Sequence, residues 1–140
     1  MSYNEAKLCS EYAKFRRKNP NSSIINFSCA IEFKVKKGNA RLNLTHDFQP
    51  QQLPALNRVE DGCYYHKISD ISQSIKGFDS FQLCHAPAFV GVCWYTAKKP
   101  RYLYLIDIKE IEKLKDQNKK SISEQEASEI AIYKLNLKTV

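Results

Sequence analysis

Ser28-Cys29-Ala30-Ile31-Glu32-Phe33-Lys34-Val35-Lys36 alternates without a break. On an extended strand successive side chains point to opposite faces. Cys29, Ile31, Phe33 and Val35 therefore share an apolar face bound for a core, while Ser28, Ala30, Glu32, Lys34 and Lys36 share the other. Glu32 and Lys34 project side by side. A carboxylate can hold a divalent cation through oxygen, and a neighbouring ammonium can neutralise a phosphoryl oxygen or orient a nucleophile. That pair is the minimum chemistry for metal-assisted phosphodiester hydrolysis. Solvated strand faces often carry such pairs with no chemistry attached, so the rest of the chain must decide.

A chain of 140 residues is the length of one ordinary domain, here 1–140, with enough apolar side chains for a single core. The net charge of +7 comes from 22 basic and 15 acidic residues, which favours a polyanionic partner. The cations are spread over Lys14–Lys18, Lys34–Arg41, Lys98–Arg101 and Lys113–Lys120, a pattern suited to a surface that follows phosphates. No run of eighteen apolar residues and no apolar N-terminal segment occurs, so neither a membrane span nor a signal peptide is expected. The five cysteines form an odd set without Cys-x-x-Cys spacing, and Cys84-His85 with Cys93 matches no zinc module. The expectation is reduced, mostly buried thiols in a cytoplasmic protein.

Residues 4–18 read as a helix with Leu8, Tyr12 and Phe15 on one stripe, stopped before Pro20. Asn21-Ser22-Ser23 reads as a turn, followed by a strand over Ile24–Lys37. Lys37-Gly38-Asn39 signals a reversal, with Ala40–Leu44 returning as the hairpin partner. A short helix is expected over Pro50–Val59 with Leu53, Leu56 and Val59 inward. Strands are expected over Cys63–Ile68, Asp79–Cys84, Ala88–Tyr95 and Tyr102–Ile106, then a helix over Ile108–Lys115. Ser123-Glu124-Gln125-Glu126 is a capping box opening a last helix to about Leu135. The order is α-β-β-α-β-β-β-β-α-α, an α/β domain in which a mixed β-sheet is flanked by helices.

That order, with four local pieces, resembles the PD-(D/E)XK nuclease superfamily and, within it, the RecU-like Holliday-junction resolvases and their short phage-encoded relatives. The pieces are an N-terminal amphipathic helix carrying Glu5 and Glu11; Ala30-Ile31-Glu32-Phe33-Lys34 at the Glu-x-Lys strand; and Phe48-Gln49-Pro50-Gln51-Gln52-Leu53-Pro54-Ala55-Leu56, similar to the family's His-Gln helix start. The last comprises Lys76-Gly77-Phe78-Asp79, Ala88-Phe89-Val90-Gly91-Val92 and the closing Ser-x-Ser-Glu helix. The match spans about residues 4–135. It departs from the pattern in two places: residues 20–31 hold no acid where the family has an aspartate, with Asn26 and Ser28 there instead, and Gln51 stands where many relatives have histidine.

The resemblance implies a restriction-endonuclease-like fold and a metal-dependent DNA endonuclease that is structure-selective, acting on branched or four-way-junction DNA as a homodimer. It implies Mg²⁺ or Mn²⁺ held by Glu32 and the Phe33 carbonyl, with Lys34 and Gln52 as catalytic partners at the attacking water or scissile phosphate. Asp79, or less so Asp70, would replace the missing aspartate. Glu5 or Glu11 would reach the same ion from the first helix, and helical geometry hardly separates the two. Lys36, Lys37 and Arg41 would contact the DNA backbone. His46-Asp47 point apart on an extended chain, and His66 reads as structural. Tyr64, Tyr65, Tyr95, Tyr102 and Tyr104 interleave with lysines, a pattern that can stack bases but at strand spacing is mostly sheet packing. The competing reading is a non-catalytic DNA-binding recombination accessory protein on the same fold.

Overall fold

The computed structural model describes residues 2–19, 25, 27–69 and 76–137. The elements are α1 (Glu5–Lys18), β1 (Ala30–Lys37), β2 (Leu42–Asn43), α2 (Gln52–Asp61), β3 (Cys63–Lys67) and β4 (Ser80–Cys84). They continue with β5 (Ala88–Tyr95), β6 (Tyr102–Asp107), α3 (Ile108–Asp116), β7 (Ser121–Ile122), α4 (Glu124–Ile130) and β8 (Tyr133–Asn136). Four strands form one mixed sheet in the order β1-β5-β6-β8. β1 runs parallel to β5 with Ala30 opposite Ala88 and Lys37 opposite Tyr95, whereas β5-β6 and β6-β8 are antiparallel.

The sheet is covered on both faces, which is why β5 reads as a nearly continuous apolar run. Ala88, Val90, Val92 and Trp94 point into a core with α2, α3 and α4. Phe89 and Cys93 point into a second core, which includes Leu8 of α1 and the β8 residue Leu135. The parity of β1 sorts it in the same way. Ile31, Phe33 and Val35 pack with α1 on the second core, and Ala30 packs on the first. Gly91, at the centre of β5, has no room for a side chain: an added Cβ would lie 2.9 Å from Ile31 Cγ2.

Several expectations need correction. The reversal at Gly38 (φ +60) is real, but Ala40–Leu44 does not return along β1. Trp94 Nε1 donates to the Ala40 carbonyl at 2.6 Å, and the chain leaves to form β2, which pairs antiparallel with β7. The partner of β1 is β5, reached through a long crossover. The strand expected over Ile24–Lys37 begins at Ala30; the turn at Asn21-Ser22-Ser23 lies outside the described residues. The capping box is present, with Ser123 Oγ accepting from the Glu126 N–H at 3.1 Å, but α4 stops at Ile130. The Ile132 N–H then donates to the Leu105 carbonyl, and Tyr133 and Leu135 of β8, with Leu137 just beyond it, alternate into the second core.

The cysteines also depart from expectation. Cys63 and Cys84 stand opposite one another in the β3-β4 register and form a disulfide, and free Cys9 is exposed. Cys29 is half-buried and Cys93 is buried. A pairing made by hairpin register across 21 residues leaves no short-spacing motif to read. No helix among the described residues is long and apolar enough to cross a membrane.

Candidate active site between the edge strand and the second helix

The site starts from the parity of β1. With Ile31, Phe33 and Val35 committed to the core beneath α1, Glu32, Lys34 and Lys36 must share the face toward α2. α2 opens with Gln52, and its apolar residues Leu53, Leu56 and Val59 anchor it over the sheet. Lys34 Nζ donates to Gln52 Oε1 at 2.9 Å and lies 3.4 Å from Glu32 Oε1. The same Gln52 oxygen accepts from the Gln49 N–H at 3.0 Å, which fixes the amide so that its oxygen faces the lysine. The Phe48 ring lies under the ammonium, 5.0 Å from Nζ to centroid. A side chain only 12% exposed is thus held by a carboxylate, an amide oxygen and an aromatic face. The positive end of α2 lies beside it and adds to the positive potential.

Lys36 continues the row, and Asp47 accepts from its Nζ at 2.9 Å and from the Asn43 N–H at 2.7 Å. Asp47 reaches Lys36 because the Asn43 side chain folds the turn, accepting from the Thr45 and His46 N–H groups. Asp47 and Phe48 therefore belong to the site, although nothing in their spacing shows it. His46 shares only the turn. Lys37 is exposed at the end of β1. Arg41 is tied to Glu126 at 2.9 Å and to Ser121.

β1 is an edge strand. The Ala30 N–H donates to the Pro87 carbonyl and the Gly38 N–H to the Tyr95 carbonyl, so the even-numbered residues turn their backbone groups toward β5. Ile31, Phe33 and Val35 accordingly turn theirs to the open side, where no strand pairs among the described residues. The Phe33 carbonyl thus emerges at the edge next to Glu32.

The structure does not bring the expected carboxylates together. α1 packs against the opposite face of the sheet from Glu32. Glu11 accepts from Tyr3 Oη at 2.8 Å and pairs with Arg101 at 3.1 Å, while Glu5 is exposed in the first turn. Asp79 precedes β4 on the hairpin, 87% exposed and paired with Lys76 at 3.0 Å. Asp70 lies outside the described residues. Among the described residues no three His, Cys, Asp or Glu side chains converge as a metal-binding group. Elsewhere, burial followed by repulsion from Asp107 pushes the Glu60 carboxyl up. This is a second acidic locus, at the far end of α2 from Gln52.

A cavity of about 420 Å³ adjoins the site, bounded by Glu32 and Gln52 at one end and by Tyr64, Phe81 and Leu83 of the β3-β4 hairpin at the other. No family model, no curated protein and no solved structure matches this chain. Glu32 offers the hard oxygen, Lys34 the fixed positive charge, Gln52 the amide that aims it, and the Phe33 carbonyl a second oxygen at an open edge.

Proposed function

We propose that this chain is a metal-dependent DNA endonuclease of restriction-endonuclease-like fold, structure-selective in the manner of the Holliday-junction resolvases it resembles. The observation that carries the reading is the Glu32-Lys34-Gln52 cluster between α2 and the edge strand β1. Mg²⁺ commonly takes one or two carboxylates and completes its shell with waters and substrate phosphate. Glu32 with the Phe33 carbonyl is a minimal oxygen set of that kind. Mg²⁺ or Mn²⁺, when bound there, supplies charge neutralisation and a more acidic water. Lys34, held by Gln52 and backed by Phe48, presents its ammonium to a phosphoryl oxygen as negative charge builds up. Lys36 and Lys37 extend positive charge along the strand, and DNA binding requires Lys36 to exchange Asp47 for phosphate. Cutting both strands of a junction calls for two such sites, hence a homodimer.

A second reading, a DNA-binding recombination accessory protein, is favoured by one observation: among the described residues Glu32 is not part of any group of three His, Cys, Asp or Glu side chains that could hold a metal ion. The deciding experiment is cleavage of labelled four-way junction, linear duplex and single strand with Mg²⁺ or Mn²⁺, beside Glu32→Ala. Symmetric metal-dependent cutting of the junction that the substitution abolishes supports the resolvase reading. Cutting of every substrate keeps the nuclease without the junction preference. Tight binding with no cutting under either metal removes the nuclease.

A further inference from the structure

We propose that the cavity beside Glu32 and Gln52 is a subsite for one unpaired nucleobase, which extends the nuclease reading by naming the DNA it selects. Its volume, about 420 Å³, falls within the roughly 300–1,000 Å³ of small-molecule sites and has room for one base with its sugar. Its walls are of two kinds. Ala55, Leu56 and Val59 of α2 with Tyr64, Phe81 and Leu83 of the hairpin form apolar and aromatic surface. Facing them is the edge of β1: residues of both parities, Ile31 and Glu32 among them, line the cavity, so it meets the strand along its edge.

At that edge Ile31 presents an N–H and a C=O that β5 does not use. A donor and an acceptor side by side suit the hydrogen-bonding edge of a base, and an aromatic wall suits its face. Phe81 is 41% exposed, with the ring of its cross-strand neighbour His66 5.1 Å away on the same face of the hairpin. The Arg58 guanidinium lies over Tyr64 at 5.3 Å, placing a cation beside this wall for the phosphate of the same nucleotide. The cavity is continuous with Glu32 and Gln52, so a base seated in it brings a neighbouring phosphate to Lys34. Selection would then fall on DNA that can release a base cheaply, at a branch, a mismatch or a single strand.

The test is binding in EDTA, which separates it from cutting. Fluorescence anisotropy compares a duplex carrying one unpaired thymine, the same duplex with an abasic residue at that position, and the fully paired duplex. The expected result is roughly tenfold tighter binding of the thymine duplex than of the abasic one. Phe81→Ala and Ala55→Leu should each remove most of that preference while leaving affinity for paired duplex unchanged. Tyr65→Ala, on the other face of the hairpin, should keep it. Equal affinity for the thymine and abasic duplexes overturns the proposal, as does a preference that survives both substitutions. Protection of the Ile31 amide from exchange that rises with protein concentration, without DNA, would place a strand of a second copy at this edge and also overturn it. Base preference without metal-dependent cutting removes the nuclease and keeps the subsite, and cutting without base preference does the reverse.

Discussion

Gly91→Ala tests how tightly β1 is seated against β5. A glycine inside a strand ordinarily weakens it, so alanine should gain roughly 0.5–1 kcal/mol through the unfolded chain. Here the new Cβ would stand 2.9 Å from Ile31 Cγ2, 3.1 Å from Leu105 Cδ2 and 3.2 Å from Leu103 Cδ1. Carbon pairs prefer about 3.5–4.0 Å. The two leucine methyls can rotate aside. The Ile31 methyl is fixed to a β-branched carbon with a stiff χ1, so relief requires β1 to move away from β5. Overpacking of this kind costs about 1–3 kcal/mol, which outweighs the gain. The expected net loss is about 1–2 kcal/mol, or roughly 3–8 °C in Tm for a domain of this size. Thermal melts of Gly91→Ala, Ile31→Ala and the double variant form the assay. The double variant should recover at least about 1 kcal/mol relative to the sum of the singles. Additivity, or a Gly91→Ala protein more stable than the parent, would refute the reasoning.

Other outcomes follow from the same geometry. Gln52→Leu leaves the Lys34 ammonium without its amide acceptor, so stability should fall by about 1–2 kcal/mol in urea titration, and any cleavage should fall with Glu32→Ala. Hydrogen bonds from Lys119 and Arg41 hold the Glu126 carboxyl below its ordinary 4.5. The stability it contributes is therefore present above pH 4.5 and lost as pH falls through the lower folded value. A parent-minus-Glu126→Gln difference in Tm, small at this exposed site, should be constant near neutrality and vanish in acid. Burial pushes the Cys93 thiol up to about 12, whereas Cys9 is exposed. Thiol titration of the native protein should modify Cys9 rapidly and Cys93 only after unfolding.

Much of the architecture was legible because it is local. The β5 run, the α2 stripe of Leu53, Leu56 and Val59 and the Ser123 capping box each announce themselves within ten residues. Pairing was not local. Gly38 signals a reversal equally well whether the next residues return along β1 or leave for β7, and only the tertiary bond from Trp94 decides. β8 was missed because the capping box favours helix, while Tyr133, Leu135 and Leu137 offer only three alternate positions. The position of α1 was readable and was misjudged. Its stripe of Leu8, Tyr12 and Phe15 belongs on the apolar parity of β1, and Glu32 has the other parity. An acid on α1 therefore stands on the wrong side of the sheet to reach it. Strand parity and the resemblance anticipate that Glu32, Lys34 and Gln52 lie together, whereas Phe48 and Asp47 join them through a turn whose geometry depends on the Asn43 side chain.

The parallel pairing of β1 with β5 also sets a schedule. Ala30 meets Ala88 across 58 positions (88 − 30), whereas Phe89 meets Asp107 across 18 (107 − 89). Closing the longer loop is entropically dearer and slower, so β5 and β6 can zip before β1 has a partner. Glu32 and Lys34 ride on β1, whose pairing closes a longer loop than β5-β6, and α2, which carries Gln52, lies within that same crossover. The Glu32-Lys34-Gln52 cluster therefore comes together only when this crossover closes, and a chain that has formed only the β5-β6 hairpin does not yet hold it.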